Sequence, residues 1–206
     1  MENAKFEIRT GGVLTRYFGE ESEITIPNGV KFIEDNVFAG CTELKSVRLP
    51  NSLIVIGNYA FSNCKNLKKI EIPKYVNEIG DFAFYHCENL KEITLPDSVV
   101  KVGIECFEDC EKLENVVLSK NLKKITKKMF EDCENLKSIV IPDGVTKIDR
   151  EAFADCENLV SIEIPSTVKN IGYDVFDDCE ELVITTEAGS FAEQYANENE
   201  IKLNLK

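Results

Sequence analysis

Thiols and carboxylates are the side chains of this sequence equipped for chemistry, and both recur at a fixed interval. Cys41, Cys64, Cys87, Cys110, Cys133, Cys156 and Cys179 stand 23 residues apart, and of the eight cysteines only Cys106 lies outside the series. Cysteine serves disulfides, zinc sites and reactive thiols. Zinc sites draw on pairs such as Cys-x-x-Cys, and the sequence has no Cys-x-x-Cys. Seven thiols in one column cannot all pair, and pairing a subset would break the repeat. Reduced thiols, buried as small apolar groups, are therefore expected. Cys106 and Cys110 sit one helical turn apart, a spacing suited to redox work, but both fall on inward columns where a thiol is shielded.

The carboxylates gather around the same cysteines, as in Glu108-Asp109-Cys110-Glu111, Glu131-Asp132-Cys133-Glu134 and Asp177-Asp178-Cys179-Glu180. Stacked, such corners make an acidic ridge. Calcium prefers several carboxylate oxygens, yet a uniform repeat lacks the asymmetric spacing of a ligand loop. The expectation is a solvated edge that discourages lateral pairing. A net charge of −13 argues against nucleic acid. The single histidine, His86, reads as a turn residue. With no Ser-His-Asp set, no phosphate loop and no paired carboxylates outside the repeated turn, neither an enzyme nor a cofactor is expected.

The elements that hold these groups follow from the other columns. Phenylalanine precedes each repeated cysteine by three residues (Phe38 to Phe176) and leucine follows it by three (Leu44 to Leu182). A period in the twenties with several columns in phase means stacked coils, a solenoid. After each leucine, apolar residues three and five positions on, such as Ile70 and Ile72, mark an extended strand with one face inward. Proline closes the strand at Pro27, Pro50, Pro73, Pro96, Pro142 and Pro165, where the chain leaves the sheet. A short extended return (Val76 to Ile79, for example), a tight helical or 3₁₀ turn carrying Ala-Phe, and the cysteine corner complete the coil. Strands about 4.8 Å apart give a rod roughly 35 Å long.

The run Cys-x-x-Leu-x-x-Ile-x-Ile-Pro-x-x-Val-x-x-Ile-Gly-x-x-Ala-Phe resembles the BspA-like class of leucine-rich repeats over roughly Glu23 to Leu182. The resemblance implies a β-rich repeat solenoid, a right-handed coil with a parallel strand sheet. It further implies protein or glycan binding in place of catalysis. One departure from commoner leucine-rich repeats is visible. The positions three residues after the last strand leucine hold Ser52, Tyr75, Ser98, Asn121, Gly144 and Thr167, with no asparagine ladder.

Both ends read as caps, as a solenoid requires. Residues 1–22 predict a capping hairpin around Gly11-Gly12, and residues 23–182 about seven repeats. Residues 183–206 predict a C-terminal cap with a short helix begun by Ser190 and a last strand from Ile201 to Leu205. The whole reads as one domain. No apolar run approaches the length of a spanning helix, and the first residues do not form a signal peptide. A cytoplasmic protein is expected as the sequence stands, or a secreted or surface one if Met1 is not the native start.

Function is expected where columns depart from the repeat or face outward. The leading candidate is the outward side of the strands: Arg48, Lys69, Glu71, Glu92, Thr94, Asn115, Val117, Ser138 and Val140. Val117 and Val140 place two apolar side chains on neighbouring coils there. An alternative is an aromatic patch of Tyr59, Tyr75, Phe82 and Tyr85 on the return side, serving a partner or self-association. A third departure is the basic coil around Lys120, Lys123, Lys124, Lys127 and Lys128. The expected partner is a protein or glycan bound by a monomeric scaffold, with weak self-association as the competing reading.

Overall fold

In the computed structural model, which describes residues 5–206, the chain winds through eight coils. Numbering along the chain, a hairpin of β1 (Phe6–Arg9) and β2 (Val13–Tyr17) comes first. The front strands are β3 (Glu23–Thr25), β5 (Ser46–Arg48), β7 (Lys69–Ile70), β9 (Glu92–Thr94), β11 (Asn115–Val117), β13 (Ser138–Val140), β15 (Ser161–Glu163) and β17 (Val183–Thr186). The return strands are β4 (Phe32–Ile33), β6 (Val55–Ile56), β8 (Glu78–Ile79), β10 (Lys101–Val102), β12 (Lys124–Ile125), β14 (Lys147–Ile148) and β16 (Asn170–Ile171). The helix α1 (Phe191–Glu198) and β18 (Lys202–Leu205) close the rod. Paired strands of successive coils are parallel and 23 residues out of step in the repeats, as in Ile33 beside Ile56 and Ile139 beside Ile162. The expected short return thus pairs in its own right, as one sheet from the hairpin through β10 and another from β12 to β16.

The interior is one continuous core. Phe38, Phe61, Phe84, Phe107, Phe130, Phe153 and Phe176 form a single stack with ring centroids 5.0 to 5.8 Å apart and planes within 13° of parallel. No coil can bury its phenyl ring alone; each ring is covered by the coils before and after it. The caps finish this stack with tyrosines. Tyr17 of the hairpin lies 5.1 Å from Phe38, and Tyr195 of α1 meets Phe176 edge-on at 6.1 Å. The hairpin docks edge to edge, β2 pairing with β4 through Val13–Phe32 and Leu14–Ile33. At the other end Ser190 caps α1, its side chain accepting from the Glu193 amide at 3.1 Å.

The cysteine column has a second role besides filling space. Each thiol of the column from Cys64 onward donates to the carbonyl of the phenylalanine one coil back, for example Cys133 Sγ to Phe107 O at 3.2 Å and Cys156 Sγ to Phe130 O at 3.0 Å. Burial pushes these thiols up, Cys179 to about 12, which keeps them protonated as donors. Cys41 has no coil before its own corner to enclose it and is only partly buried.

The Ala-Phe corner keeps i→i+3 bonds of the expected 3₁₀ kind, Ser62 N to Tyr59 O and Cys64 N to Phe61 O, but forms no helix. Two residues in each such corner adopt a left-handed backbone: one five places before cysteine (Tyr59, φ 54°; Phe82, φ 56°) and one immediately before it (Asn63, His86, Asp109, Asp132). That alternation turns the intervening amides towards the next coil, so Tyr59, Phe61 and Asn63 N–H donate to Asp81, Ala83 and Tyr85 O at 2.7 to 2.8 Å. Asn, Asp and His tolerate this conformation best. The residue before cysteine is therefore glycine, asparagine, histidine or aspartate for conformational reasons.

An asparagine ladder does exist, at a different corner from the one where the sequence was expected to show it. Asn66, Asn89, Asn135 and Asn158, two residues after cysteine, each donate Nδ2 to the carbonyl 24 residues earlier at 2.8 to 2.9 Å. At the strand-exit corner Ser52, Ser98 and Thr167 hydroxyls do the same work for Val30, Val76 and Val145 O. Glycine after the return strand reflects close approach: a β-carbon on Gly80 would sit 2.6 Å from the Asn58 amide nitrogen. Where Thr126 replaces that glycine, β10 and β12 do not pair, and the Thr126 hydroxyl donates instead to Gly103 O at 2.7 Å. Ser119, in place of the proline, donates to Val99 O at 2.7 Å.

Candidate functional site

The outward side chains of the front strands fall into two unlike halves. Across β3, β5 and β7 the surface sinks into a shallow groove of about 680 Å³, rimmed by Glu23, Thr25, Ser46, Arg48, Lys69 and Glu71. Its floor is apolar because Leu49 and Ile72 are only partly buried, whereas Leu95, Ile141 and Ile164 in the same column are buried. A smaller depression of about 290 Å³ continues past Glu92 and Thr94 to Pro96. Lys69 Nζ lies 3.1 Å from Glu71 and 3.9 Å from Glu92. Among the described residues Arg48 makes no ion pair, so its guanidinium is free for a ligand. Charges of both signs along the rim suit a polar chain laid across the strands.

Beyond β9 the next two strands present uncharged side chains on the same side: Asn115, Val117, Ser138 and Val140. Val117 is 56% exposed and Val140 59%. They flank a discontinuity, since β11 pairs only with β9 and β13 only with β15. The structure therefore brings Arg48, Lys69, Glu71, Glu92 and Thr94 together as a groove and sets Val117 and Val140 apart as a patch. The shallow exposure of Leu49 and Ile72 escaped the sequence reading, because their column is otherwise inward.

Of the four aromatic candidates, three meet. Tyr59 and Phe82 stack at 4.6 Å with planes 4° apart, Tyr85 stands edge-on to Phe82 at 5.8 Å, and His86 follows at 4.2 Å from Tyr85. Tyr75 is separate. It occupies the strand-exit column that Ser52 and Ser98 fill, is 58% exposed, and has Lys74 Nζ 5.0 Å above its ring. The hairpin, docked on β4, extends the return sheet beside this cluster.

The acidic corners and the basic coil partly cancel. Lys127 reaches Glu105 at 2.9 Å, Lys128 reaches Glu131 at 2.7 Å and Lys124 lies 4.0 Å from Asp149, which leaves Lys120 and Lys123 as the outward cations of that coil among the described residues. Glu108 is enclosed beside Glu131 and Glu105, and burial with those like charges pushes its carboxyl up to about 8. Burial and then Asp109 and Asp155 push Asp132 up to about 6. Among the described residues no three thiol, imidazole or carboxylate groups converge on one point to hold a metal ion.

Comparison with known proteins fits this geometry. A profile of the BspA type leucine rich repeat region matches in six copies, over residues 17–137 and 54–183. The chain belongs to the BspA-type leucine-rich repeat family. Among solved structures, this BspA-type chain is similar to a leucine-rich repeat protein of T. pallidum, with a TM-score of 0.81 and 29% identity over 97% of this chain and 94% of that one. It also resembles a leucine-rich repeat protein of Bacteroides ovatus in fold, with a TM-score of 0.50 and 22% identity over 88% of this chain and 68% of the other. No curated protein is significantly similar in sequence. No helix among the described residues is long and apolar enough to cross a membrane.

Proposed function

We propose that this BspA-type solenoid is a non-catalytic scaffold that binds a protein partner on the front strands, centred on the groove between β3 and β9. The observation behind this reading is the groove's make-up. It combines an apolar floor, Leu49 and Ile72, with a rim of both signs that includes Arg48 and Lys69. An apolar floor supplies contact area, and a rim of fixed charges supplies register and specificity. Arg48 is the side chain expected to matter most, because arginine forks onto carboxylates and backbone carbonyls and is enriched among the residues that dominate interfaces. Val117 and Val140 would extend the contact.

The test is affinity capture from extracts with three chains of matched circular dichroism: wild type, Arg48→Glu with Lys69→Glu, and Val117→Glu with Val140→Lys. A protein retained by the wild type and lost with the Arg48 and Lys69 changes supports the groove. Retention that survives deglycosylation of the extract separates a protein partner from a glycan. Equal capture by all three chains overturns the proposal. A sedimentation series separates it from a self-associating rod.

A further inference from the structure

The corner carrying Tyr59 and Phe82 holds aromatic rings where the fold would favour polar side chains. Both residues have a left-handed backbone, with φ of 54° and 56°. In the other coils that column holds Asn36, Glu105, Lys128, Glu151 and Asp174, and Asn36 shows that a small polar residue fits it. A bulky residue with positive φ is uncommon, and since every coil keeps this backbone in that column, the pair of rings placed on it is what sets this corner apart. The two rings do not serve the core, since Tyr59 is 38% exposed and the buried phenyl stack runs separately through Phe61 and Phe84.

We propose that this corner is a docking site for a basic, arginine-bearing segment of another protein, distinct from the groove on the front strands. Charge complementarity selects that occupant. From Tyr85 the corner continues through His86, whose Nε2 lies 3.0 Å from Asp109, into the column Asp109, Asp132, Asp155 and Asp178 one coil apart. Among the described residues no lysine or arginine lies within ion-pair distance of any of these four aspartates, while Lys65, Lys127 and Lys128 nearby are engaged by Glu88, Glu105 and Glu131. Rings thus lead directly into a row of unneutralised carboxylates. A guanidinium can lie against an aromatic ring and fork onto a carboxylate at once, which an ammonium does less well. A second copy of the chain brings a net charge of −13 to the same surface.

The experiment uses the full chain and labelled Arg-Gly and Lys-Gly repeat peptides, read by fluorescence anisotropy at several salt concentrations. Tyr59→Asn with Phe82→Asn leaves the charge unchanged and places a residue type already native to the column. The expected result is a loss of about tenfold in affinity for the Arg-Gly peptide. Asp109→Asn with Asp132→Asn should lose at least as much, and Glu71→Gln with Glu92→Gln, equal in charge but on the front strands, should lose about twofold or less. The Lys-Gly peptide should bind the wild type more weakly. Wild-type affinity in the chain carrying Tyr59→Asn and Phe82→Asn, or an equal loss on neutralising Glu71 and Glu92, reduces the binding to general attraction by an acidic rod and overturns the proposal. So does concentration-dependent sedimentation of the wild type that these aromatic changes abolish, because the occupant is then a second copy.

Discussion

Two aromatic stacks run along this rod, and they differ in almost everything except ring spacing. The phenyl stack from Phe38 to Phe176 is buried, and its residues have ordinary backbone conformations. The Tyr59–Phe82 pair stacks just as closely, at 4.6 Å against 5.0 to 5.8 Å, but at the surface and on a left-handed backbone. Close stacking is therefore what the coil repeat does to any column of rings. What separates the two stacks is burial together with backbone cost. The inner stack should lower the free energy of folding, and the outer one should be close to neutral, its ring contact offset by the left-handed backbone.

The largest effect expected is on the inner stack. Phe107→Ala should destabilise the chain by about 3–5 kcal/mol, since the neighbouring rings are held by their own coils and cannot collapse into the space. Urea denaturation measures it, and a loss near zero would mean that the stack is not the core. In the adjacent column, Cys133→Ala removes a buried thiol and its bond to Phe107 O at 3.2 Å, for about 1–2 kcal/mol. Cys41→Ala should change stability little. In the native state Cys41 should be the first of the eight thiols alkylated, which mass spectrometry can follow.

A smaller effect should appear with pH. Glu108 has its carboxyl raised to about 8 and Asp132 to about 6, above their ordinary values of 4.5 and 3.8. A raised acid binds its proton more tightly in the folded state. Its contribution is therefore present below the ordinary value and is lost as pH rises through the folded one. The melting temperature should fall between about pH 5 and pH 8, and Glu108→Gln should flatten that slope. A slope unchanged by Glu108→Gln would show that the carboxyl is not enclosed as described.

The smallest effect sharpens the comparison most. Tyr59→Asn gives up ring contact of about 0.5–1.5 kcal/mol and relieves a left-handed cost of about 1–2 kcal/mol. Stability should then hold within about 1 kcal/mol of the wild type. A loss as large as that from Phe107→Ala would place Tyr59 in the core and erase the distinction between the two stacks.

Much of this was legible in the residues. A 23-residue phase over Phe, Cys and Leu fixes which side chains face inward, because burial in a stacked coil depends only on the coil before and the coil after. Ser190 marked its helix because a cap is a local hydrogen bond. The asparagine ladder at Asn66, Asn89, Asn135 and Asn158 keeps the same phase but is interrupted by Lys112, and it stands at a corner other than the one where commoner leucine-rich repeats place it. Thr126 and Ser119 break the glycine and proline columns in the sequence, but only the three-dimensional contacts show their hydroxyls donating to Gly103 and Val99 O.

By itself, then, the sequence determined the coil, its inward columns, its caps and its family resemblance, since these are properties of a period and of near neighbours. The tertiary structure alone decided the sign of φ at Tyr59 and Phe82, the separation of Tyr75 from them, and the partial exposure of Leu49 and Ile72 in a groove with Arg48 and Lys69. Periodicity assigns a side chain to a face. How deeply it lies there, and which columns meet it across a corner, depends on how the coils settle on one another.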